Sequence, residues 1–213
     1  MRTYRVTFAK RGALIFVSHL DFSHSVVRAL KRAHLPIKYS EGFSPHPKLV
    51  FGLPLSVGMT GENELLDVTL ADDGISNEEF KARFSAAMTS DMEIKDVSEP
   101  GLKLGKIKSA DYTVYFENCP LTADEINEKL ENLPPVVKKT KSGAEKLLDI
   151  SPMVFAARAS ESDCKVSLEL TLSSSGDAYL NPELVIQSLA LSDTDYSITR
   201  THINFSAEEY ALS

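Results

Sequence analysis

The sequence predicts an α+β protein with predominantly antiparallel sheets, built as two successive ferredoxin-like (βαββαβ) halves. Three observations lead there. Alternating stretches such as residues 3–9 and 92–97 carry the period of half-buried strands, and apolar positions three and four apart mark helices after Ser18 and Ser76. The resulting order of elements then recurs once, and 213 residues, 43% of them hydrophobic, suffice for two domains of about 100 residues each.

Residues 3–9 place Tyr4, Val6 and Phe8 on one side of a strand and Arg5 and Thr7 on the other. Gly12 breaks the alternation, and Leu14 to Val17 lead into the first helix. Ser18 and Asp21 have the spacing of a capping box, in which the Ser18 hydroxyl accepts from the Asp21 amide and the Asp21 carboxylate reaches back to the Ser18 amide. Phe22, Val26, Ala29, Leu30 and Ala33 form the apolar face, while Asp21, Ser25, Arg28 and Arg32 follow one another along a polar stripe. Lys31, Arg32 and His34 suit the negative end of the helix dipole, and Pro36 stops the helix.

Residues 37–40 read as a short strand, followed by a stiff loop. Gly42 permits a positive φ, and Pro45 and Pro47 fix their own φ and hold Ser44 and His46 extended. Strands are expected at 49–53 and 64–70, then a helix capped by Ser76 and running to Met88 with Phe80 and Phe84 inward, then a strand at 92–97. This makes residues 1–98 the first domain. Residues 99–109 read as a linker, and 110–213 as a second, acidic domain. There, strands are expected at 112–117, 153–159, 165–172 and 196–205, and residues 136–141 read as extended. One helix is capped by Thr122 and runs to Leu133, and another begins at Pro182.

No apolar run approaches the ~20 residues that span a bilayer, and the opening Met-Arg-Thr-Tyr-Arg-Val has no signal-peptide shape, so a cytoplasmic protein without membrane contact is expected. Cys119 and Cys164 match no metal spacing and fit a reduced compartment. The net charge of -7 is uneven: residues 1–50 hold nine Lys or Arg against Asp21 and Glu41, with four of the five histidines. That asymmetry points to a local polyanion-facing surface. Arg28, Arg32 and Lys48 are the expected phosphate contacts, and Tyr39 and Phe43 the expected stacking partners for bases.

Other chemistries are less well supplied. His19, Asp21, His46, Glu64 and Asp67 are ligand types without the spacing of a zinc helix or finger, so no metal is expected. Ser18, Ser40 and Ser44 lie in no Gly-x-Ser-x-Gly elbow. His19 or His46 could serve as a general base toward an RNA 2′-hydroxyl, His19 with its pKa lowered by the helix N-terminus.

The stretches Phe16-Val-Ser-His-Leu-Asp21, Arg28-Ala-Leu-Lys-Arg32, Tyr39-Ser-Glu-Gly-Phe-Ser-Pro-His-Pro47 and Leu53-Pro-Leu-Ser-Val-Gly58 together resemble the radical-SAM-linked domain family of unknown function (DUF2344-like). Weaker landmarks at Asp149-Ile150, Asn181-Pro-Glu183 and Thr199-Arg-Thr201 extend the resemblance over nearly the whole chain. It singles out Ser18, His19, Asp21, Arg28, Arg32, Tyr39, Ser40, Gly42, Phe43, Pro45, His46 and Pro47. The chain departs from the family pattern at His24, Glu41 and Ser44, where Arg, Gln and Asn are usual, and so loses positive charge. Members stand alone or are joined to a B12-binding-type radical SAM protein, which implies a radical SAM partner and RNA rather than DNA as ligand. The chain has no Cys-x3-Cys-x2-Cys run to hold an iron–sulfur cluster itself, so no cofactor is expected. The expectation is an accessory RNA-binding module, not itself an enzyme. The alternatives are a metal-independent RNA endonuclease resembling CRISPR repeat-processing enzymes, and a protein-only adaptor for the radical SAM partner.

Overall fold

A computed structural model describes residues 1–139, 145–162, 165–176 and 178–205. The chain divides into two compact units, Met1–Lys106 and Ile107–Ser213. Both are α+β and their strands pair antiparallel.

The first unit runs β1 (Arg2–Lys10), a 3-10 turn (Gly12–Phe16), α1 (His19–Arg32), β2 (Leu49–Phe51), β3 (Thr60–Leu70), α2 (Asn77–Ala87) and β4 (Met92–Ser98). Its strands lie in the order β4-β1-β3-β2. Tyr4, Val6 and Phe8 of β1 and Leu66, Val68 and Leu70 of β3 are buried with Phe22, Val26, Ala29 and Leu30 of α1. Phe80 of α2 stacks on Tyr4 at 4.8 Å and meets Phe84 edge-on at 5.9 Å. The alternation in β1 is incomplete. Arg5 is buried as well, because its guanidinium grips the carboxylate of its cross-strand neighbour Asp67 with two hydrogen bonds of 2.8 and 2.9 Å.

Leu14 to Val17 lead into α1 as expected, by way of the 3-10 turn. Two local expectations need correction. Ser18 caps α1 through the Asp21 amide at 3.2 Å, yet the return bond takes the Ser18 hydroxyl to the Asp21 carboxylate at 2.7 Å and leaves the Ser18 amide out. Aspartate is one methylene shorter than the glutamate of a reciprocal box. Residues 37–40 form no strand: Ile37 and Tyr39 make isolated bridges to Leu70 and Pro47. Proline has no N–H with which to extend that ladder.

The second unit runs β5 (Ser109–Phe116), α3 (Ala123–Glu131), β6 (Val136–Lys139), β7 (Glu145–Leu148), β8 (Val154–Ser162), β9 (Lys165–Ser175), β10 (Ala178–Tyr179), α4 (Pro182–Ser188) and β11 (Tyr196–Asn204). The main order is β11-β5-β9-β8, with β10 pairing the end of β9. Among the described residues β6 pairs only β7, as a separate hairpin, and residues 140–141 of the stretch read as extended, 136–141, lie outside them. Thr122 and Glu125 complete a capping box at α3. The stretch 99–109 holds a 3-10 turn (Leu104–Lys106) and the buried side chains Leu104 and Ile107.

Candidate nucleic-acid interface on the first unit

The charge of residues 1–50 is partly consumed by the fold. Arg2 pairs with Glu99 at 3.1 Å, Arg5 with Asp67, and Arg11 with Glu62 and Glu93, the last at 2.8 Å. Lys95 also reaches Glu62 at 3.0 Å. These cations hold the Glu62 carboxyl down at about 2, Arg11 foremost. Lys10 is buried, donating to the Val17 carbonyl at 3.2 Å and lying 5.1 Å from the Phe22 ring centre.

Five cations remain, Arg28, Lys31 and Arg32 on α1 and Lys38 and Lys48 in the loop that follows. Lys38 meets Glu41 at 4.0 Å, but Glu41 is 94% exposed and the pair is screened by water. Among the described residues, no carboxylate lies within 4.0 Å of Arg28, Lys31, Arg32 or Lys48. Arg28 bonds the Ser25 hydroxyl at 3.1 Å, and Arg32 donates to the Ala87 carbonyl at 2.8 Å, satisfying the last turn of α2. The two stretches meet where the Lys31 ammonium lies 5.7 Å from the centre of the Tyr39 ring. Lys31 and Lys38 are the cations of this face that sequence reasoning did not select, and Lys38 is met by Glu41. For Lys31, its place in the last turn of α1, beside the selected Arg32, was the available signal.

The loop itself is pinned by backbone. The Ser40 amide donates to the His46 carbonyl at 2.7 Å, the His46 amide donates to the Ser40 hydroxyl at 2.9 Å, and the Lys48 amide donates to the Lys38 carbonyl at 2.8 Å. Gly42 has φ +125°, which an L side chain would strain. Pro45 and Pro47 flank His46. At the tip Phe43 is fully exposed (112%), and His46 and Lys48 are exposed too.

His19 lies elsewhere. Half-buried, it meets Phe51 edge-on at 5.0 Å and lines a small cavity with Phe8, Lys10, Phe22, Phe51 and Glu64. His46, the other histidine read as a candidate general base, is not among the lining residues of that cavity. Its volume of about 10 Å³ admits one water molecule and no nucleotide. Burial first, then the Lys10 charge, lowers the His19 pKa below its usual value, which favours the neutral ring. The expected direction holds with a different cause. Glu64 and Lys10 were also missed as buried groups. Glu64 shares the strand parity of Leu66, Val68 and Leu70, and that parity was the available clue.

Among the described residues no three His, Cys, Asp or Glu side chains group as a metal site, and no helix is long and apolar enough to cross a membrane.

Fold and site together define an antiparallel α+β protein whose first unit presents a cationic helix end beside a proline-stiffened loop. A family model described as an uncharacterised protein conserved in bacteria (DUF2344) matches residues 3–182, and the chain belongs to that family. No curated protein matches. Among solved structures the chain is similar to a chain of a Cbf5-Nop10-Gar1 complex, at 13% identity and TM-score 0.48, over 97% of this chain and 50% of that one. An archaeal box H/ACA sRNP Nop10-Cbf5 complex gives 12%, 0.47, 97% and 50%. An unknown protein from Galdieria sulphuraria gives 8% identity and TM-score 0.28, over 93% of this chain and 98% of that one. The chain thus spans about half the length of the first two.

Proposed function

We propose that the protein is a cytoplasmic accessory module that binds structured RNA, tRNA or rRNA, for a radical SAM modification enzyme. Its two halves are read as ferredoxin-like domains, 1–98 and 110–213, joined by 99–109. The order β4-β1-β3-β2 and its counterpart β11-β5-β9-β8 support that reading. The radical SAM partner rests on the family resemblance alone.

One observation carries the RNA reading. With the internal ion pairs and the buried Lys10 set aside, the remaining cations of residues 1–50 gather, among the described residues, on the end of α1 and the 38–48 loop. Arg28 and Lys48 supply phosphate contacts and Phe43 a stacking platform. A single exposed apolar side chain is ordinary in itself. Phe43 differs in standing on a loop already stiffened by two prolines and by the paired Ser40–His46 bonds, so little conformational freedom is lost when a base stacks on it. Tyr39 is less open to stacking, since Lys31 lies against its ring.

The test is the salt dependence of tRNA binding, followed by fluorescence anisotropy. Removing one phosphate-binding cation should flatten the slope of log affinity against log salt by roughly 0.7 to 0.9, so Arg28→Ala with Lys48→Ala should flatten it by about 1.5. Arg32 is left intact because it also caps α2. A slope unchanged by the double substitution, or salt-independent binding of neutral ligands alone, overturns the proposal.

A further inference from the structure

The strongest feature outside the cationic face lies in the second unit, between α3 and β8. Among the described residues β8 pairs with β9 alone, so its other edge faces away from any strand. At Ala159 that edge is closed by a side chain. The Ala159 amide donates to Asn127 Oδ1 at 2.8 Å, and Asn127 Nδ2 donates to the Ala159 carbonyl at 3.0 Å. The Asn127 amide thereby takes the place of one residue of a neighbouring strand. Because strand backbone alternates, the amides and carbonyls of Ala157 and Glu161 face the same way as those of Ala159. Among the described residues they have no partner outside the β8–β9 ladder.

A groove runs along this edge on both sides of Asn127. One part, about 420 Å³, is lined by Leu130, Glu131, Leu133, Val154 and Ala157. The other, about 440 Å³, is lined by Asp124, Arg158, Ser160 and Glu161. Asp124, Glu131 and Glu161 have no cation within 4.0 Å among the described residues, so Arg158 is outnumbered.

We infer that this groove accepts an extended, basic peptide segment of a partner protein, added as a strand to the free edge of β8. The open backbone groups of Ala157 and Glu161 set its register. Leu130, Leu133 and Val154 receive its apolar side chains in one part of the groove, and Asp124, Glu131 and Glu161 attract its cations. Asn127 divides the groove and holds the edge straight while it is empty. An incoming strand replaces its amide at Ala159. This surface is independent of the RNA face.

The probe is fluorescein-labelled Lys-Val-Arg-Val-Lys-Val-Arg-Val, titrated with the full chain by anisotropy. Saturable binding is expected, with slowed amide exchange at Ala157 and Glu161. A probe with its central valine replaced by proline loses an N–H donor and should bind about tenfold more weakly. Ala157→Pro removes the same kind of donor from an exposed edge, where proline is tolerated, and should weaken binding about tenfold. Glu161→Lys should weaken it with the fold unchanged, as shown by circular dichroism and retained tRNA binding. Equal binding of the proline probe marks mere charge attraction and overturns the proposal. So does wild-type binding by both Ala157→Pro and Glu161→Lys, or chain dimerisation that Ala157→Pro abolishes, which assigns the edge to a second copy.

Discussion

The two units share one order of strands and differ in what fills the connection between the first helix and the second strand of each. In the first unit that connection is the proline-bearing 38–48 loop, leading into a three-residue β2. In the second it is the β6–β7 hairpin, leading into a nine-residue β8 that among the described residues pairs with no second strand and is met at Ala159 by Asn127. Charge divides the same way, with cations in excess beside the first connection and carboxylates in excess along the α3–β8 groove among the described residues. One scaffold thus carries two surfaces of opposite character, because connections tolerate changes that a packed sheet does not.

The comparison can be broken most severely in the core. Phe84 is fully buried between α2 and the first sheet, and Phe84→Ala should cost about 3–5 kcal/mol. Native-state hydrogen exchange should then show protection lost in Met1–Lys106 and kept in Ile107–Ser213, if each unit is its own cooperative structure. Simultaneous loss in both would break the description as two units.

Helix caps sharpen it at smaller scale. Ser18→Ala and Thr122→Ala each remove a hydroxyl that serves one amide and one carboxylate, but Thr122→Ala leaves the other half of its capping box, the residue 122 backbone N–H donating to Glu125, in place. Each should cost about 1 kcal/mol by chemical denaturation, Ser18→Ala the more.

Acid provides a further contrast. The Glu62 carboxyl is held at about 2, below its ordinary 4.5, by Arg11 and Lys95. Its contribution is therefore complete above pH 4.5 and lost as pH falls toward 2, where the native carboxylate takes up its proton. Glu62→Gln should remove that part of the slope in a plot of stability against pH. His19, also depressed, adds a penalty as pH falls below 6.5, since the unfolded ring protonates first. His19→Phe should flatten the curve there. The smallest effect is expected from Lys31→Ala, which takes the cation away from the Tyr39 ring and should cost about 0.5–1 kcal/mol in thermal melts.

Much of the first unit was legible because periodicity and capping are local. Tyr4, Val6 and Phe8, the α1 face of Phe22, Val26, Ala29 and Leu30, and the positive φ of Gly42 all follow from spacing or from residue type. What failed depended on neighbours distant in sequence. Nothing near Arg5 announces Asp67, 62 residues away, so its burial could not be read. Lys10 stood beyond the expected 3–9 strand and Glu64 among ligand types without metal spacing, and only folding places both beside His19. The excess of cations was visible, but not which of them the acids of β3 and β4 would take. Residues 136–141 could be read only as extended, because an extended segment looks the same whichever partner it pairs with.

The fully exposed aromatic at the tip of the 38–48 loop, Phe43, has a practical corollary. The chain contains no tryptophan. With no packing around position 43 to disturb, Phe43→Trp would install a lone indole fluorophore on the proposed contact surface. Its emission colour would then report directly whether that ring stays in water or slides between nucleobases, without any label on the RNA.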